Sequence, residues 1–125
     1  MMTQKELDKF EKELKKKGYK QYPPYNRANR CWFKSFGESK HEEDRSNYQI
    51  AFSVWNFSPY ADRDENLRKN PYSVSVSILL SRYIDERVDV EVGSVNDVRY
   101  KNIDYIESLA ESFLQWAEKN VDIDG

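Results

Sequence analysis

With 125 residues, the chain is long enough for one domain around a single core. Its 14% aromatic content argues against disorder across the body despite 34% charged residues. No apolar run approaches the roughly 18 residues a membrane span needs, the opening MMTQKELDKF lacks the apolar region of a secretory signal, and one cysteine excludes an internal disulfide, so the expected setting is the cytoplasm. The net charge of -2 conceals an asymmetry: residues 1–40 hold eleven Lys and Arg against five Asp and Glu, and residues 41–125 hold nine against seventeen.

The spacing predicts a first helix over Thr3 to Lys17. Thr3 stands three residues before Glu6, the spacing of a capping box. Leu7, Phe10 and Leu14 share one face. Lys15, Lys16 and Lys17 suit the negative end of the helix dipole, and Gly18 supplies a left-handed terminus. Residues 19–29 read as a connection stiffened by Pro23 and Pro24.

Four strands are expected next. Arg30 to Phe36 is aromatic and ambiguous in its facing. Tyr48 to Phe57 and Tyr72 to Leu80 alternate strictly, with Ile50, Phe52, Val54, Val74, Val76 and Ile78 on one parity. In Arg87 to Val92, Val88, Val90 and Val92 are opposed by Asp89 and Glu91. Period-two alternation marks strands covered on one face only, the habit of antiparallel sheets. A last helix over Asn102 to Asn120 carries a broad stripe from Ile103 and Ile106 through Leu109, Ala110 and Phe113 to Trp116. The expected fold is α+β: one domain over residues 1–125, a four-stranded antiparallel sheet, element order α-β-β-β-β-α, both helices packed on one sheet face.

Chemistry is sparse. Cys31 and His41 are alone of their kinds, too few to fill a structural zinc site, and nothing in their spacing makes them a nucleophile and base. Asp62, Asp64 and Asn66 match the first places of a calcium loop, but Leu67 stands where glycine is needed and Ser73 where the bidentate glutamate belongs. No catalytic residue, metal or cofactor is expected. Asp85, Glu86, Asp89 and Glu91 form an acidic cluster around the last hairpin, and Trp32, Trp55, Phe57 and Tyr60 form an aromatic group. If Phe33 faces inward, Trp32, Lys34 and Phe36 face out. Aromatic anchors are enriched at protein interfaces; the bland reading of the same group is a second small core beneath the long loop, or a flip in the facing of the first strand.

The sequence is thus read as a small non-enzymatic module that binds another protein through these eight residues. An inhibitor or adaptor of phage or mobile-element type, occluding a nucleic-acid-handling protein with its acidic surface, is one such case. The alternative is a nucleic-acid binder that uses Lys15, Lys16, Lys17, Lys20, Arg30 and Lys34 with the aromatic sheet face. An open sheet edge would also support a homodimer. No membrane partner is expected.

Overall fold

The computed structural model describes residues 1–25, 27–38, 47–83 and 87–120. Helix α1 (Gln4–Lys16) is followed by strands β1 (Lys20–Tyr22), β2 (Arg30–Glu38) and β3 (Asn47–Asn56). A 3-10 turn (Ser58–Tyr60) and the short helix α2 (Glu65–Lys69) lead into β4 (Tyr72–Tyr83) and β5 (Arg87–Val95). A second 3-10 turn (Tyr100–Asn102) runs into helix α3 (Ile103–Asn120).

Helix α1 begins as its sequence dictates. The Thr3 hydroxyl accepts from the Glu6 amide at 3.2 Å, and the Glu6 carboxylate accepts from the Thr3 amide at 3.1 Å. It ends on Gly18 at φ +94. There Gly18 N–H reaches Lys15 O at 3.1 Å and Tyr19 N–H reaches Leu14 O at 3.0 Å, the paired bonds of a Schellman terminus. This turn drops the Tyr19 ring into the core, edge-on to Phe52 with centroids 5.4 Å apart.

The sheet is a meander in the order β1-β2-β3-β4-β5, with every neighbouring pair antiparallel. It has five strands where four were expected. The additional one, β1, lies in the segment read as a connection. Its residues Lys20, Gln21 and Tyr22 carry no apolar alternation, yet they pair with Phe33, Trp32 and Cys31 of β2. Shifts in register fall between Ser35 and Gly37 and between Ile78 and Leu79.

The two long helices cover one face. Leu7, Phe10 and Leu14 of α1 and Ile103, Ile106 and Ala110 of α3 join Trp32, Ile50, Phe52, Val54, Val74 and Val76 in a single cluster. The Phe10 ring meets Phe52 edge-on at 5.6 Å. Met2 and Val98 plug its ends: Met2 bridges Tyr72, and the Val98 amide donates to Val74 O at 2.7 Å. Leu109, assigned to the buried stripe of the last helix, is instead exposed. Asn102 does not cap α3 directly; its side-chain oxygen accepts from the Arg99 amide at 3.0 Å and fixes the 3-10 turn that precedes the helix. No helix among the described residues is long and apolar enough to cross a membrane.

Candidate functional site

Among the described residues, neither long helix covers the opposite face of the sheet, called here the open face. Register identifies its residues: Cys31 stands beside Ser53 and Ser75, Phe33 beside Ala51 and Ser77, Ser35 beside Gln49 and Leu79, and Trp55 beside Ser73. Tyr22 and Lys20 extend the first two rows onto β1, and Ser94 extends the second onto β5. Among these described side chains only Ala51 is buried. The floor is therefore built of small residues, with larger side chains standing around it.

Trp55 dominates this face. It is 47% exposed, and its indole N–H donates to the Ser75 hydroxyl at 3.2 Å. A bond to the neighbouring strand holds the ring over the sheet while leaving its other surface wet. Tyr22 and Tyr60 are exposed too, and Phe57 tilts against Tyr60 with centroids 6.5 Å apart. The chain beyond Phe57 is closed into a compact loop by the Phe57 amide donating to Pro71 O at 2.8 Å.

Two features assigned from sequence to this face belong to the other one. Trp32 pairs with the buried Phe52 and is only 7% exposed, so it is not a surface anchor. Its indole N–H donates to Glu11 of α1 at 2.6 Å. The same carboxylate accepts from Arg30, whose side chain is 8% exposed, through Nε at 2.6 Å and through a second guanidinium nitrogen. Lys34 also turns toward the helices: its ammonium donates to Lys17 O at 2.8 Å, lies 5.5 Å from the Tyr19 ring centroid and stands 3.7 Å from Glu107. Lys17 pairs with Asp104 at 2.6 Å and Glu107 at 3.3 Å. These bonds, Asp104 first, push the Lys17 ammonium pKa up. Arg30, Lys34 and Lys17 thus tie the helices to the sheet and to each other. They belong to the helical side of the sheet, not to the face that carries Trp55. Phe33, whose facing the sequence leaves open, takes the outward parity.

Burial, and then the Glu107 charge, push the Tyr19 hydroxyl far above the ordinary tyrosine range; it is enclosed without a hydrogen bond of normal geometry.

Lys15, Lys16 and Lys20 are exposed, as a surface role requires. Of the acidic cluster, Asp89 and Glu91 lie in β5, opposite Ser81 and Leu79, which sets their backbone positions on the parity of the open face. Asp85 and Glu86, and likewise His41, lie outside the described residues. Burial raises the Cys31 thiol pKa, opposed in part by a hydrogen bond with Ser53. Asp64 caps α2, accepting from the amides of Asn66 at 3.0 Å and Leu67 at 3.2 Å. Its carboxylate is thereby committed to the helix start. Among the described residues no three His, Cys, Asp or Glu gather as metal ligands.

Sequence reasoning missed Tyr22 and Phe33 as companions of Trp55. The available signal was the serine run of β4: Ser73, Ser75 and Ser77 mark a small-residue face, and any aromatic sharing its parity stands above the floor. Comparison with family models, with curated proteins and with solved structures finds no match to this chain.

Proposed function

We propose that this chain is a non-enzymatic protein-binding module that docks through its open sheet face, with Trp55 as the central anchor. The observation that carries the reading is a half-exposed indole, bonded to Ser75, on the one sheet face that neither α1 nor α3 covers. Large, rigid aromatics are over-represented among the residues that dominate binding energy. A ring already held in place loses little freedom on docking.

A protein partner suits this face better than a nucleic acid does. Three of the six cations first assigned to phosphate binding, Lys17, Arg30 and Lys34, are spent in contacts on the helical side. The open face is bordered instead by the backbone positions of Asp89 and Glu91, which favour a basic partner surface. Occlusion of the basic groove of a nucleic-acid-handling protein is the mode of action this distribution supports.

The test is capture from native host lysate, after nuclease treatment, by the wild-type chain and by Trp55→Ala. The wild type recovers one protein in stoichiometric amount, and Trp55→Ala weakens that complex by about 30-fold or more, the scale of an interface hot spot. The pair Asp89→Lys and Glu91→Lys weakens it further. Equal recovery by Trp55→Ala and wild type would reject the open face as the docking surface.

A further inference from the structure

The solvent side of α1 carries a second, unrelated feature. Lys5, Lys9, Lys12 and Lys16 recur at intervals of four, three and four residues, so they form one row along the helix, opposite buried Leu7, Phe10 and Leu14. At 1.5 Å per residue the row is about 16 Å long. All four are exposed, and among the described residues none has an ion-pair partner.

Three of the four acidic residues of the helix have partners of their own, and the fourth, Glu13, flanks the row between Lys9 and Lys16. Glu11 turns inward to Arg30 and Trp32. Glu6 closes the capping box and meets Arg99 at 3.3 Å. Asp8 accepts from the Gln4 side chain at 2.7 Å. Beside the row, the turn before α3 adds Lys101, and Tyr100 lies exposed with the Lys9 ammonium 4.4 Å from its ring centroid. Lys9, Arg99, Tyr100 and Lys101 line one shallow cleft with Met2 and Glu6.

We propose that this row and the Tyr100 turn form a binding site for single-stranded nucleic acid, with lysines on the phosphates and Tyr100 as a stacking surface. The inference does not rest on the protein-docking reading, because α1 lies on the opposite side of the sheet from Trp55. The shape of the patch selects the ligand. A straight row of equal charges matches a polymer with regularly repeated phosphates. The row itself is made of lysines alone, and Tyr100 is the ring that stands beside it. One exposed aromatic ring among cations is the arrangement on which unpaired bases stack.

The experiment is fluorescence anisotropy with a labelled 20-residue oligo(dT), titrated with the full chain between 50 and 200 mM NaCl. Five phosphate contacts give a log–log salt slope of about -3.5 for a single strand, or about a 100-fold loss of affinity across that range. With Lys5, Lys9, Lys12 and Lys16 all changed to Gln, the slope falls to about -0.7, while the same four changed to Arg retain binding. Tyr100→Leu weakens binding by about tenfold. Thermal melts establish that each variant is folded, and Trp55→Ala binds the oligonucleotide as the wild type does, which separates this site from the docking face. Absence of binding at 50 mM NaCl, or an unchanged slope in the folded Gln variant, would overturn the proposal. Displacement by poly-glutamate at equal charge concentration would also overturn it and identify an acidic protein as the ligand. Unchanged affinity in Tyr100→Leu would overturn the single-strand assignment.

Discussion

The Trp32 indole and the Glu11 carboxylate meet at 2.6 Å between sheet and helix, and the same carboxylate holds the guanidinium of Arg30. One acid therefore satisfies two inward-facing donors on β2. Glu11→Ala leaves an arginine side chain enclosed without its counter-charge, a defect that costs about 3–5 kcal/mol. Urea denaturation followed by tryptophan fluorescence measures the loss. Adding Arg30→Met to Glu11→Ala restores part of it, because the stranded charge is then gone.

Gly18 supplies a second check. Its φ of +94 is a conformation that a side chain resists, yet a Cβ built there meets no atom within 4 Å. The cost of Gly18→Ala is therefore backbone strain alone, about 1–2 kcal/mol. Gly18→Asn costs less, since asparagine tolerates the left-handed region better. Calorimetric melting of the two variants tests the order.

The acid limb of stability has identifiable sources. The Thr3 backbone amide, then the Thr3 side chain, lower the Glu6 pKa below its ordinary value, and the amino-terminal ammonium, 2.7 Å away, lowers that of Asp97. Both groups bind protons less readily folded than unfolded. Their contribution is complete above the unfolded carboxylate range and is lost as pH falls below about 4. Urea midpoints measured from pH 5.5 down to 2.5 should fall less steeply for Glu6→Gln, which keeps the reach of the side chain without its charge.

Cys31 shifts the other way. Burial holds its thiol pKa up, against the Ser53 hydrogen bond, so little thiolate exists near neutrality. Its reaction with a disulfide reagent at pH 8 is expected to be about tenfold slower than that of an unfolded cysteine peptide. Any stability linked to its protonation is present below the unfolded thiol pKa and fades as pH rises through the folded value. Ser53→Ala removes the opposing bond and slows the reaction further.

How much of this was legible depended on whether one signal dominated each segment. β3 and β4 alternate strictly, so their facing followed from parity. In β2 the apolar residues Cys31, Trp32 and Phe33 occupy both parities, and the charges of Arg30 and Lys34 looked like solvent markers. They face inward because Glu11 of α1 and Glu107 of α3 meet them there, a match between residues far apart in sequence that no local pattern contains. β1 was missed because three residues hold too little periodicity; its pairing comes from β2. α2 is only five residues long, and its one signal is the capping Asp64 followed by Glu65. The Trp55 half of the site was readable from composition and parity. Its relation to Tyr22 required the five-strand register.

The meander pairs each strand with its neighbour in sequence, but its helical cover comes from opposite ends of the chain. A chain emerging from a ribosome can therefore pair its strands while the part of the core that α3 covers still faces water. Phe52 receives α1 and Tyr19 early, whereas Ile103, Ile106 and Ala110 arrive last. Until they do, the apolar face of the nascent sheet is covered by α1 alone, and synthesis passes through a stage in which this small protein most needs protection from its neighbours.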